Sequence, residues 1–276
     1  MKKLLFFDID GTLAYPKQLP PESAVAAIRD ARNNGHKVFI STGRTWDSIP
    51  QTIADINFDG GIYSAGGIVI LDGNILVKHH MDSETVHMIL PLLKKKSVFY
   101  VLETADGRFH SENGHAVLAE TDLTNVSAQM QQLTADILLD PTARPLADYS
   151  GQPIFKIAYH SADPVITEQL TMALNGTAKI VQFNNIPGLP ITIGEISDPK
   201  VNKGRAMMDI CNHYGMRADD CIVFGDSMND SEIITAAGLG IAMGNADTEL
   251  KTIADIVCER CENDGIAKAL HALGLI

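Results

Sequence analysis

The chain has 276 residues, 45% hydrophobic and 20% charged, the balance of an ordinary globular protein with one large or two modest domains. A formal net charge of -12 and a pI of about 5.1 argue against a nucleic-acid backbone or an anionic membrane as the main partner. They leave room for a phosphate ester held through a cation. No apolar run reaches membrane-span length, and the one after Lys2-Lys3 is too short for a signal peptide.

Leu4 to Phe7 is an apolar run without alternation, the pattern of a parallel strand buried on both faces. It ends in Asp8-Ile9-Asp10-Gly11-Thr12. Glu22 to Asn34 follows a helical pattern and stops at Gly35. His36 to Ile40 is a second strand, ending in Ser41-Thr42-Gly43-Arg44 before a helix expected from Trp46 to Asp55. Gly60 to Ser64 is a third strand, and Ile68 to Lys78 reads as a hairpin turning at Asp72-Gly73 in type I′ geometry. From residue 82 the strands alternate more and the connections are more polar. Helices are expected over Glu84 to Lys95, Val126 to Leu133 and Pro164 to Leu174. Strands are expected over Val98 to Glu103, Gly107 to Glu112, Phe155 to His160, Lys179 to Phe183 and Pro190 to Ile196. The β–α rhythm then returns. Asn202 to Tyr214 is a helix and Cys221 to Phe224 a strand ending in Gly225-Asp226-Ser227-Met228-Asn229-Asp230. Further elements follow at Ser231 to Ala237, Gly240 to Met243, Thr248 to Thr252, Ile256 to Cys258 and Ile266 to Leu273. This order implies an α/β, Rossmann-like parallel-sheet core over 1–81 and 190–276, with an α+β module inserted over 82–189. Hinges are expected near Met81 and Ile186-Pro187-Gly188.

Four pieces fall at strand ends or a helix start: Asp8 with Asp10, Thr42-Gly43, Lys203, and Asp226 through Asp230. Carboxylates two residues apart on a strand tip repel unless a cation or shared proton relieves them. Clustered oxygen ligands suit Mg²⁺, with Asp8, Asp226 and the backbone carbonyl of Asp10 as its protein ligands. Thr42, the Gly43 N–H, Lys203 and Asn229 would hold phosphate oxygens. Asp230 would orient a ligand or Lys203. Arg44 is balanced between structural pairing and substrate contact. His79, His80, His110 and His115 read as surface residues. Cys211, Cys221, Cys258 and Cys261 lack zinc spacing and read as thiols of a reducing cytoplasm. Gly238 to Gly244 follows a helix instead of a strand, so it is no dinucleotide fingerprint, and no P-loop is present.

Together these pieces resemble the four motifs of the haloacid dehalogenase superfamily, and within it the Cof-type phosphatases of subclass IIB. Ala242-Met243-Gly244-Asn245-Ala246, Ala254-Asp255 and Asn263-Asp264-Gly265-Ile266 are similar to that group as well. The resemblance implies Asp8 as the nucleophile that forms an aspartyl phosphate, and Asp10 as the acid and then the base. It also implies Mg²⁺ as cofactor and the inserted module as a cap that chooses the leaving group, with Arg144, Tyr159 and Phe183 as candidates for that choice. A phosphomonoesterase acting on a sugar phosphate, nucleotide or phosphorylated cofactor is the leading expectation, as a monomer or weak homodimer. A phosphomutase or phosphotransferase shares every motif. A non-catalytic phosphometabolite sensor has no use for the second aspartate.

Overall fold

The computed structural model describes residues 2–15, 18–94, 98–139, 143–183 and 188–276. The first elements are β1 (Leu4–Phe7), α1 (Glu22–Asn33), β2 (Lys37–Ser41), α2 (Gln51–Ala54), β3 (Gly60–Tyr63), β4 (Ile68–Leu71) and β5 (Asn74–Lys78). Next come α3 (Ser83–Leu93), β6 (Val98–Thr104), β7 (Gly107–His110), α4 (Gly114–Glu120), α5 (Ala128–Leu138) and β8 (Arg144–Pro145). They are followed by β9 (Ile154–Ser161), α6 (Ile166–Leu174), β10 (Lys179–Phe183) and β11 (Thr192–Ser197). The last part holds α7 (Lys203–Tyr214), β12 (Cys221–Gly225), α8 (Ser231–Ala236), β13 (Leu239–Ala242), α9 (Thr248–Ile253), β14 (Ile256–Val257) and α10 (Gly265–Ala272).

The chain forms two compact units, Met1–His79 with Val201–Ile276, and His80–Lys200. In the first, one sheet runs β14-β13-β12-β1-β2-β3-β4-β5. It is parallel from β14 to β3 and antiparallel through the β4–β5 hairpin, an α/β architecture with a parallel-sheet core. Asp72 and Gly73 both have positive φ, 47° and 76°, as a type I′ turn requires. β1 sits in the middle of this sheet with all four residues fully buried. Phe6 stacks on Phe39 and Phe7 on Phe224, at centroid separations of 5.1 and 5.0 Å.

The second unit carries a six-stranded sheet ordered β10-β11-β9-β6-β7-β8. The apolar faces of α3 and α6 pack with Tyr100, Leu102 and Tyr159 on one side of it. The strand at the end of this unit corrects the expected boundary at residue 190. β11 is hydrogen-bonded to β10 and β9, so residues 192–197 belong to the six-stranded sheet. Its alternation identifies a half-covered strand, while the choice of sheet is made by long-range pairing. Met81 is buried in this unit and donates its N–H to Ile154 O at 2.7 Å. Of the other expected hinge, residues 186 and 187 lie outside the described residues.

The helix expected from Trp46 to Asp55 is broken. A single 3₁₀ turn covers Trp46–Ser48, Ile49 is extended at φ -73° and ψ 124°, and α2 begins after Pro50. Proline biases its predecessor out of the helical region, which accounts for the break.

Candidate active site

β1 and β12 run parallel in register, Phe7 beside Phe224, and the Asp8 N–H donates to Phe224 O at 3.0 Å. Asp8 and Asp226 therefore leave the sheet at the same edge, beyond the carboxyl ends of adjacent strands, where open α/β sheets hold their ligands. After Asp8 the chain turns tightly. Leu13 and Ala14 donate N–H groups to Ile9 O, and Gly11 donates to Ala14 O. Gly11 has φ +92°, and a Cβ there would stand 2.1 Å from Asp226 Oδ2. Only glycine lets the turn lie against that carboxylate.

Lys203 opens α7, whose end is capped by Asn202 Oδ1 accepting from the Arg205 N–H at 2.8 Å. The turn after β3 lets this helix start approach the strand ends. Gly66, at φ +106°, leaves room that a Cβ would fill within 2.4 Å of the Asn202 carbonyl oxygen. The Lys203 side chain is wholly buried. Its ammonium donates to Asp8 Oδ1 at 2.8 Å and to Asp230 Oδ1 at 2.6 Å, and reaches Asn229 Oδ1 at 3.4 Å. Asp230 Oδ2 accepts the Asp226 N–H at 3.2 Å, so both oxygens of Asp230 are engaged.

Thr42 follows β2, the other neighbour of β1, and is buried. Its hydroxyl accepts the Arg44 N–H at 3.1 Å. Gly43 lies between these two residues. The Arg44 guanidinium grips Asp10 with both prongs, Nε to Oδ2 at 2.7 Å and Nη2 to Oδ1 at 2.6 Å. The structure thus joins Asp8, Lys203, Asn229 and Asp230 through one ammonium, and Asp10 with Arg44 through one guanidinium.

One carboxylate oxygen from each of Asp8, Asp226 and Asp230 lies within 4.8 Å of the others. Burial pushes the Asp8 carboxyl up to about 7; Lys203 pulls it down, and Asp230 and Asp10 push it further up. Burial, then the charges of Asp8 and Asp230, raise Asp226 to about 8. Burial opposes the Lys203 ammonium, yet Asp230 and Asp8 outweigh it and hold the group above the usual lysine range. Counting Asp10, four carboxylates face one ammonium and one guanidinium. An oxygen-only set with surplus negative charge fits a hard divalent cation, which would relieve the repulsion that adds to burial in raising Asp8 and Asp226.

Two supporting residues carry no role in the sequence reading. The Thr12 hydroxyl donates to Asp226 Oδ1 at 3.2 Å, and Asn245 Nδ2 donates to Gly11 O at 2.7 Å. Thr12 stands inside the first motif, so its position was the available signal; Asn245 offered none beyond its place in the tail. In the second unit, Tyr159 is fully buried with its hydroxyl on Thr167 at 2.8 Å, which makes it a core residue. Arg144 is exposed, lies over the Phe109 ring at 4.3 Å and donates to Asp106 O. The Phe183 side chain is outside the described residues. His79 is engaged by Asp209 at 2.7 Å. The four cysteines are free, with Cys211 and Cys221 buried side by side. Among the described residues no helix is long and apolar enough to cross a membrane.

The family model described as haloacid dehalogenase-like hydrolase matches residues 5–270. Phosphatase YwpJ of Bacillus subtilis (strain 168) is 24% identical over 284 residues, covering 98% of this chain and 99% of the relative. An HMP-PP phosphatase of Yersinia enterocolitica is 26% identical over 275 residues, covering 98% and 95%. Among solved structures, the subclass IIB sugar phosphatase BT4131 superposes with a TM-score of 0.79 at 23% identity, over 100% of both chains.

Proposed function

This chain belongs to the haloacid dehalogenase-like hydrolase family, and on that premise we propose that it is a Mg²⁺-dependent phosphomonoesterase working through an aspartyl phosphate. The observation that carries the reading is the buried pairing of Lys203 with Asp8 beside the uncompensated carboxylate of Asp226. Asp8, Asp226 and the backbone carbonyl of Asp10 would hold the cation, which when bound supplies charge neutralisation between Asp8 and the incoming phosphate.

Asp8 attacks phosphorus, the P–O bond to the leaving group breaks, and Asp10 delivers a proton to the departing oxygen. Water then attacks the phosphorus of the acyl phosphate. Asp10 takes its proton, and cleavage of the bond to Asp8 releases phosphate and restores the carboxylate. Lys203, Thr42, the Gly43 N–H and Asn229 hold the phosphoryl oxygens and disperse their charge. Asp230 fixes the Lys203 ammonium. Arg44 grips both oxygens of Asp10 and so orients the side chain for the proton transfers.

The substrate is a small phosphorylated metabolite: a sugar phosphate, a nucleotide or a phosphorylated cofactor. The names of the relatives support that class, since one of them is an HMP-PP phosphatase, and so does the absence of any basic excess in a chain of net charge -12. The second unit selects among such leaving groups. The test is Asp8→Asn assayed on an aryl phosphate with Mg²⁺. Turnover should fall by ~10³-fold or more, with no hydroxylamine-labile phosphoprotein trapped; hydrolysis at the wild-type rate removes the nucleophile from the scheme.

A further inference from the structure

We propose that Asn245 is a positioning residue that sets the spacing between cation ligands donated by two different strands, and through that spacing the preference for Mg²⁺ over Ca²⁺. The inference rests on Asp8, Asp226 and the Asp10 carbonyl being those ligands.

The register of β1 with β12 ends at Phe7 and Phe224, and the last backbone hydrogen bond between them is made by the Asp8 N–H. Beyond it the sheet no longer fixes the Asp10–Gly11 turn against Asp226. The loop after β13 supplies that constraint. Met243 donates its N–H to Gly225 O at 2.9 Å, and Asp247 donates to Asp226 O at 2.8 Å. Between them Asn245 Nδ2 donates to Gly11 O at 2.7 Å. One five-residue loop thus holds the backbone of Asp226 and, on the other side, the residue that follows Asp10.

The Asn245 amide is held at both ends. Its Oδ1 accepts the Cys261 N–H at 3.1 Å. Only this orientation pairs a donor with the Gly11 carbonyl and an acceptor with the Cys261 N–H, so the amide group has no equivalent flipped state. Gly244 adds an N–H to Glu259 O at 3.2 Å, which ties the loop to the segment that carries Cys261. Among the described residues, removing the amide leaves the Thr12–Asp226 side-chain hydrogen bond as the remaining cross-link between turn and carboxylate.

Mg²⁺ requires near-ideal octahedral geometry at short distances, whereas Ca²⁺ tolerates longer and less regular sites. A small widening between the turn and Asp226 therefore penalises Mg²⁺ more. The experiment is calorimetric titration of the apo protein with Mg²⁺ and, separately, with Ca²⁺, without substrate, for wild type and Asn245→Ala. Mg²⁺ affinity should fall by about tenfold or more, the scale of outer-shell substitutions at metal sites, and Ca²⁺ affinity by about threefold or less. With Mg²⁺ saturating, kcat falls while KM for an aryl phosphate changes little. Asn245→Ser, whose hydroxyl is too short to span the contact to Gly11, should behave in the same way and carries the test if the alanine variant fails to fold. Unchanged affinities, or Mg²⁺ and Ca²⁺ weakened in parallel, overturn the role of Asn245 while leaving the ligand assignment standing. A wild type that binds no Mg²⁺ overturns both.

Discussion

Both units bury a lysine between two carboxylates, and they do it to different ends. In the first, Lys203 lies between Asp8 and Asp230. In the second, Lys156 on β9 is 3% exposed, ion-paired to Glu195 on β11 and 3.6 Å from Glu103 on β6. Arg108 stands opposite Glu103 in the β6–β7 register and draws its carboxyl down, so that cluster carries two acids and two bases. The first cluster, with Asp10, Asp226 and Arg44, carries four acids and two bases. The second also sits in the middle of antiparallel strands, whereas the first sits where strands end and backbone is free to meet a ligand. A buried lysine is therefore uninformative alone; the surplus of acid and the location at strand ends distinguish the proposed reactive site.

Replacing each lysine with methionine puts the comparison under the greatest strain. Lys203→Met leaves Asp8 and Asp230 buried without a cation and should cost about 3–5 kcal/mol in urea unfolding. Aryl phosphate turnover should drop by ~10²-fold or more, and added Mg²⁺ should restore part of the lost stability. Lys156→Met should cost about 2 kcal/mol, because the Glu195 side chain, 24% exposed, can turn to water. Turnover per folded molecule should stay unchanged and Mg²⁺ should restore nothing; equal responses in both variants would dissolve the distinction.

The second cluster also has a pH signature. Burial lifts Glu103 from 4.5 to about 7, with Glu195 adding and Lys156 and Arg108 opposing. A carboxyl that binds its proton more tightly in the folded state stabilises below its unfolded pKa. That contribution is lost as pH rises through the folded value. Urea midpoints compared at pH 4.5 and pH 7.5 should therefore show Glu103→Gln reducing the decline by on the order of 2 kcal/mol. An identical pH slope in wild type and variant would remove Glu103 as its source. The smallest effect belongs to Arg44→Ala. The Arg44 and Asp10 side chains are 30% and 38% exposed, so stability should change by about 1 kcal/mol or less. The same variant should lower kcat by roughly tenfold by freeing the Asp10 carboxylate to rotate; a larger loss of stability than of turnover would make the pair structural.

The strand-tip motifs were legible because β1 and β12 are fully apolar and buried, so an acid at either end stands out. Lys156 was not, because a lysine in an alternating strand reads as a solvated side chain until its neighbours on β6 and β11 are known. Thr12 and Asn245 meet partners 214 and 234 residues away, a distance no local pattern reports. The short α4 escaped as well: it begins at Gly114, a poor helix former, and its buried positions are few.

The position of β1 has a consequence in time. Its neighbour β12 is more than two hundred residues downstream, beyond the whole of the second unit, which is contiguous in the chain. At ribosomal rates of roughly 5–20 residues per second, β1 waits on the order of ten seconds or more for that neighbour. Until then Asp226 and Asp230 have not been made and Lys203 arrives only shortly before the strand, so the acids of the first motif stand alone beside a half-built sheet. The nascent chain cannot assemble the cluster before Asp230 is made; the last third of synthesis delivers the lysine and the remaining acids, and with them the first moment at which the crowded carboxylates have a reason to stay close.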